Sequence, residues 1–246
     1  MTETANVTTD RAEPDPADAS GGALGDVSHN LNGQRLGRKG RGTRERILAA
    51  CVDVLAESDV PISMSAVARR AALGMTSLYN YFSDLTELLL AVLEPVMATA
   101  EESYLAMLRE RWPDDGLGER AYAFMSAYHD FWARNSRLLH LRNTMADTRD
   151  ERMMIHRVSS TQPLIGLFVT QMGGSGDEMM SPLRGMATVL MTGIERTVTV
   201  STDTGLTSLF GERERRQPDH YMVPEARLIE LAIADTRARV ARGEFG

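Results

Sequence analysis

Apolar side chains in this chain recur every three or four residues and hardly anywhere every two. Ile47, Leu48, Cys51, Val54 and Leu55 stand at helical spacing, so a segment from about 43 to 57 has one apolar face, which predicts a first amphipathic helix. Thr43 reads as its N-cap. Glycines at 33, 37, 40 and 42 precede it, and each loses much backbone freedom on ordering, so no stable helix is expected before Thr43. "SDVPI" interrupts the pattern. Ser63 reads as a second N-cap, and Met64, Val67, Ala68 and Ala71 predict a short helix over about 64–71. "ALGM" turns the chain, and a third short helix is expected from about Thr76 to Phe82, with Leu78 and Phe82 facing inward. Two short helices joined by a tight turn and packed on a longer one make a helix-turn-helix.

The helical period continues to the end of the chain. "SDLTELLLAVLEPVMATAEESYLAMLRER" predicts one long helix, with Asp84 near its start and a kink at Pro95. "GLGERAYAFMSAYHDFWARN" follows the breaker "WPDDG". "SRLLHLRNTMADTRDERMMIHRVSSTQPLIGLFVTQM" predicts one or two helices with a second kink at Pro163, and "GGSGDEMM" a loop. "SPLRGMATVLMTGIERTVTVS" begins with Ser181 as cap and Pro182 at the first helical position. After a loop over about 203–223, a last helix is expected from Pro224. No alternating strand run competes and no internal repeat is evident. The expected fold class is all-α, with a three-helix helix-turn-helix domain over 43–88 and a second helical domain over 89–246.

Charge changes the picture near the N-terminus. Residues 1–33 carry one Arg and six acids and few large apolar side chains, so they read as an acidic leader unable to bury enough surface to order itself. Residues 34–85 carry eight basic side chains and five acids, and the remainder eighteen Arg and twenty-three acids. The net charge of −7 by itself argues against a nucleic-acid partner, but a polyanion responds to the local patch. Arg35, Arg38, Lys39 and Arg41 fall in segment 34–42. It reads either as a basic arm reaching a minor groove or phosphates or as a solubilising leader; its position against the helix-turn-helix favours the arm.

Other classes are narrowed by what is missing. A single cysteine, Cys51, excludes an internal disulfide and a cysteine metal cluster and favours a reducing, cytoplasmic setting. No apolar run of about 18 residues suggests a membrane span, and "MTETANVTTD" lacks the features of a secretory leader. A G-x-S-x-G elbow, a phosphate-binding glycine loop and a paired-carboxylate signature are all lacking, so neither an enzyme nor a cofactor is expected. His129, His140 and His156 have no metal-site spacing, so no metal is expected.

"TRERILAACVDVLAESDVPISMSAVARRAALGMTSLYNYFSDLTELL", 47 residues, resembles the N-terminal signature of the tetracycline-repressor (TetR) family of bacterial transcription regulators. The likeness lies in the order: Arg46-Ile47-Leu48-Ala49-Ala50, a capped short helix with Val67-Ala68 at its centre, Leu78-Tyr79-x-x-Phe82, then Glu87-Leu88-Leu89. Three positions depart from the family's usual wording. Ala72 stands where Gly is usual in the turn, Tyr81 where His is common, and Leu85 where a Lys usually meets a phosphate; the basic residues of 35–46 are placed to compensate for that Lys.

The resemblance implies a homodimer that binds a palindromic operator and releases it when a small-molecule effector binds, most simply as a repressor. It implies base contacts by Met75, Thr76 and Asn80. The chemistry suits them, since Asn bonds bidentately to adenine and a Thr methyl touches a thymine methyl. It implies phosphate contacts by Ser63, Ser77, Tyr79 and Tyr81, with Arg44 beside them, which fix register without reading sequence. The plainer readings are Tyr79 and Met75 as packing residues, and Asn80, Arg69 and Arg70 as solvated surface.

Dimerisation in the family uses the last two helices, here near 182–201 and 224–242. Ala187, Leu190, Met191, Ile194 and Val198 form a stripe on the first, and Leu228, Leu231, Ala232 and Asp235 one on the second; packing inside the monomer is the alternative. The effector is expected among helices 84–172. Met97, Tyr128, Trp132 and Met145 would supply apolar walls, and Glu94, Arg142, Asn143, Asp147 and Arg149 would orient a ligand with hydroxyls or a carboxylate. Ordinary core is the alternative there.

Overall fold

Glycine fails to hold off the first helix. In the computed structural model, which describes residues 37–57, 61–175, 181–203, 205 and 219–244, α1 runs from Arg38 to Ala56 with Gly37 as its N-cap. Thr43 is therefore interior, its hydroxyl donating to the Lys39 carbonyl at 3.0 Å. Each interior glycine costs about 1 kcal/mol relative to Ala. Packing of Ile47, Ala50, Cys51 and Val54 anchors the helix downstream, and the Arg and Lys between the glycines are good helix formers. Arg38, Lys39 and Arg41 thus form the first turns of α1 rather than a flexible arm. Arg35 and the acidic segment 1–33 lie outside the described residues.

The head is completed by α2 (Met64–Arg70) and α3 (Met75–Tyr79). Ser63 caps α2 by accepting from the Ala66 N–H at 3.2 Å, as its sequence position predicts. Small buried residues (Ala50, Ala66, Ala68, Ala71) let the helices approach closely around Ile47, Cys51, Val67, Leu78 and Phe82. Burial pushes the Cys51 thiol up to about 12, so it behaves as a small apolar residue.

The body contains α4 (Leu85–Ala98), α5 (Ala100–Ser103), α6 (Leu117–Arg134), α7 (Ser136–Asp147), α8 (Glu151–Gln171), α9 (Pro182–Ser201) and α10 (Asp219–Ala241). The single long helix expected after Asp84 is broken. A 3₁₀ turn at Leu105–Leu108 follows α5, and Tyr104 between them leaves helical geometry. Its ring turns into an aromatic cluster, 4.9 Å from Tyr128 and 5.1 Å from Phe131 between centroids; tertiary packing overrides the local pattern there. Pro95 and Pro163 both lie within helices. The last helix begins at Asp219, five residues before Pro224. Most of the expected loops at 173–180 and 203–223 lies outside the described residues. Helices α6 and α10, α7 and α8, α8 and α9, and α9 and α10 pack pairwise. Among the described residues there is no strand, and no helix is long and apolar enough to cross a membrane.

Head and body share one apolar core, and two aspartates tie the start of α4, where the chain leaves the head, to α8. Asp84 caps α4, accepting from the Glu87 N–H at 2.9 Å, and its second oxygen accepts from Arg152 of α8 at 2.7 Å. Asp150 caps α8, accepting from the Met153 N–H at 3.1 Å, and its second oxygen accepts from the Thr86 hydroxyl of α4 at 2.5 Å. Each carboxylate serves its own helix and the neighbouring one. Burial raises the affinity of Asp84 for its proton, but Arg152 and the Glu87 N–H outweigh it and hold the group below the ordinary carboxylate range. The Thr86 hydroxyl does the same for Asp150.

Candidate nucleic-acid interface

The turn between α2 and α3 sets the site. The Leu73 N–H reaches the Ala68 carbonyl at 2.9 Å and the Ala72 N–H the Arg69 carbonyl at 3.2 Å, the paired bonds of a Schellman helix end. That motif needs its pivot residue in the left-handed region, and Ala72 adopts φ 52°. This is the position where the sequence has Ala in place of a usual Gly. The strain of holding a Cβ there is about 1 kcal/mol.

From this turn α3 emerges with its faces divided. Leu78 is completely buried, and Phe82, just beyond the helix, is 1% exposed. Met75 and Tyr79 are 37% and 47% exposed, and Thr76 and Ser77 between them are exposed too. Tyr79 is therefore not a core aromatic. Asn80, expected inside the third helix, is instead its C-cap and half-buried. Tyr81 is half-buried against the core. Five of the expected contact residues (Met75, Thr76, Ser77, Tyr79, Asn80) thus come from one short element. Ser63 lies at the start of α2, its oxygen already accepting the capping bond and lying 3.1 Å from the Ser65 hydroxyl. Arg44 lies over the Phe82 ring with its guanidinium carbon 5.2 Å from the centroid, so a core residue of the α3 region fixes a cation on α1.

Not every arginine nearby is available. Arg70 donates to Glu57 and lies 3.8 Å from Asp53, tying the end of α2 to the end of α1. Arg69 is exposed. Asp53 and Glu57 are four residues apart, one helical turn, which brings both exposed carboxylates beside the end of α2.

The nine residues expected around an effector separate. Met97, Tyr128, Trp132 and Arg142 line a void of about 10 Å³, the size of one water molecule. Asn143 is buried beside Arg142, and Met145 is half-buried against the core. Glu94, Asp147 and Arg149 are exposed, with Asp147 accepting from Arg157 at 2.8 Å and Arg149 serving as a helix-end pivot at φ 71°.

Behind the void lies a polar network that the sequence reading missed. Arg142, 3% exposed, donates to Asn143 Oδ1 at 3.0 Å and to the Ser160 hydroxyl at 3.2 Å. Glu195 of α9 lies 3.5 Å from Arg142 and 3.4 Å from Arg157, and accepts from Asn143 at 3.2 Å. His156 Nδ1 is buried without a partner among the described residues; burial and then the Arg142 charge hold its pKa down.

The two tail helices correct one expectation. Ala187, Met191, Ile194 and Val198 are buried within the monomer and Leu190 is half-buried, so this stripe is core. The large apolar residues that α9 leaves outside are Met186 and Val189, and α10 leaves Tyr221, Val223, Leu228 and Leu231, all between 38% and 71% exposed. Asp235 is exposed and Ala232 half-buried.

The chain has the fold of a TetR family transcription regulator from Marinobacter aquaeolei VT8, whose crystal structure aligns with 79% of this chain and 97% of that one, at a TM-score of 0.50 and 18% identity. No family model and no curated protein matches the sequence.

Proposed function

We propose that this chain is a cytoplasmic transcription regulator of the TetR type, a repressor that binds a palindromic operator as a homodimer and leaves it when a small molecule binds. The observation that carries this reading is the division of α3: apolar residues pinned inside, and short polar or adaptable side chains presented outside. An α-helix enters a major groove only if its outer side chains are short enough to let the backbone approach and carry donors and acceptors at their tips. Met75, Thr76 and Asn80 read bases. Ser77, Tyr79 and Tyr81 hold phosphates, with Arg44 and Ser63 beside them. Arg35, Arg38, Lys39 and Arg41 supply the basic entry to α1, and the last three approach the backbone as a helical, not an extended, element.

A second copy is needed to span two half-sites about one helical turn apart. The apolar residues left outside on the adjacent helices α9 and α10 support those helices as its seat. An effector in the body, entering by enlarging the void at Tyr128, Trp132 and Arg142, would act through α4, whose N-terminus the two aspartates tie to α8. It must bind one arrangement of the heads better than the other.

Selection of bound duplexes from a random pool, followed by gel-shift titration, tests this. A palindromic consensus is expected, with Asn80→Ala losing about 1–3 kcal/mol at one base position. Arg44→Ala should weaken binding to all sequences and flatten the salt dependence, whereas Tyr79→Phe weakens it uniformly without that flattening. Equal loss on every sequence for Asn80→Ala would remove its base-reading role. A pool that yields no consensus, or a chain strictly monomeric by sedimentation, would remove the whole reading.

A further inference from the structure

A cavity large enough for a small molecule lies outside the body's core. It is a cleft of about 610 Å³ between head and body, within the range of about 300–1,000 Å³ typical of small-molecule sites. One wall is the end of α1, with Val52, Leu55 and Ala56. The facing walls are Val92 and Val96 of α4, the α6–α7 corner at Arg134–Leu138, and the α9 end at Thr202 and Asp203. Val52 is 53% exposed, an apolar side chain left uncovered at the mouth.

Its polar groups are asymmetric. Two guanidinium groups, Arg134 and Arg137, face one carboxylate, Asp203. Arg134 is exposed and has no ion pair or hydrogen bond among the described residues. His140 also lines the cleft, and burial keeps it below its ordinary pKa, Asp203 and Thr202 only partly opposing this. The Thr202 hydroxyl spends its proton on the Val198 carbonyl at 2.7 Å. The His140 Nε2 at 3.1 Å is therefore the donor between them, and a neutral imidazole is fixed in one tautomer.

Arg137 makes the cleft consequential. From the start of α7 it donates to the carbonyls of Val54 and Leu55, each at 3.0 Å, and to that of Glu57. These carbonyls lie at the negative end of α1, where the Val54 carbonyl also accepts from the Glu57 N–H at 3.3 Å, so one side chain of the body caps a helix of the head.

The geometry points to this cleft as a binding site for a small monocarboxylate with an apolar body. The tail lies along Val52, Leu55, Val92 and Val96, and the carboxylate pairs with Arg134. Arg137 is a cation, and a carboxylate offers it a full opposite charge where the carbonyls offer only dipoles, so the same anion draws Arg137 from the end of α1 and loosens the head from the body. Only this last consequence rests on the proposed function; the site itself does not.

Calorimetric titration of the full chain with octanoate, octanol and octylammonium tests it. Octanoate is expected to bind saturably at one site and about tenfold more tightly than octanol, the worth of one such charged contact, with octylammonium weakest. Arg134→Gln should bring octanoate to the affinity of octanol. Val52→Trp, at a solvent-exposed position, should fill the mouth and abolish binding while the melting temperature stays unchanged. Absence of saturable binding, equal affinity for octanoate and octanol, or octanoate binding that survives Val52→Trp would each overturn the proposal. No DNA enters these measurements, so their failure leaves the operator-binding reading standing, and loss of operator binding leaves the cleft standing.

Discussion

The head and the body use polar side chains in opposite directions. In the head, buried positions are apolar, several of them small, and Thr76, Ser77 and Tyr79 point outward. In the body, polar groups point inward. Gln171, fully buried, donates to the carbonyls of Leu108 at 2.9 Å and Glu110 at 2.7 Å while accepting from the Trp112 N–H at 3.0 Å. Arg237 of α10 closes the same cluster on the Gln171 and Trp112 carbonyls. Arg142 and Glu195 form a second inward group. A buried polar group without its partners costs about 1–3 kcal/mol, so such residues are tied to one arrangement. An outward one is available to a partner. The comparison separates recognition from construction more sharply than residue type does.

The largest effect should come from truncating the pin of α3. Phe82→Ala is expected to cost about 3–5 kcal/mol and, by removing the platform under Arg44, to abolish operator binding even where the protein remains folded. Phe168→Ala, in the body's aromatic cluster 5.5 Å from Phe124, should cost a similar amount while the folded fraction still binds DNA. Denaturant titration paired with gel shift at low temperature separates the two. Equal loss of DNA binding per folded molecule would dissolve the distinction between the regions.

A smaller effect tests the same contrast at two equivalent turns. α2, α7 and α8 all end in Schellman motifs, with Ala72, Arg149 and Gly173 as pivots at φ 52°, 71° and 95°. Only the last has the residue the geometry favours. Ala72→Gly and Arg149→Gly should each stabilise by about 1 kcal/mol, raising the melting temperature by about 2–4 °C. A fall at Ala72 alone would mean that its methyl makes a contact that outweighs the strain.

These elements also show what the sequence makes legible. Ser63 and Ser181 are visible as caps, and Asp84 as marking a helix start, because capping is local, and the inward Leu78 and Phe82 follow from spacing alone. The missing glycine at 72 is visible too, and the structure places its strain there. The start of α1 is misread because a local glycine cost is outweighed by packing several turns downstream. The α9 stripe is misread because periodicity identifies an apolar face but not whether it meets its own chain or a copy. Partners far apart in sequence, such as Arg142 with Glu195 or Arg137 with the end of α1, leave no periodic trace.

The smallest expected effect probes an inward acid. Glu225 of α10 is 7% exposed, accepts from the Thr197 hydroxyl at 2.8 Å, and lies where a side chain at Gly193 would meet it at 3.3 Å. Burial raises its pKa and the Thr197 bond offsets that only in part. With the folded value above the unfolded one, the unfolded chain releases its proton first as pH rises. The stability held below the ordinary carboxylate pKa is then lost as pH climbs through the folded value. Gln keeps the acceptor for Thr197 and never ionises, so Glu225→Gln should raise the melting temperature at pH 7 and change it little at pH 4. The exposed head acid Glu45 is the control, and Glu45→Gln should shift neither. A gain for Glu225→Gln of equal size at both pH values would show that its carboxylate is not held against its charge, and that the body's inward polar groups are no more constrained than the head's outward ones.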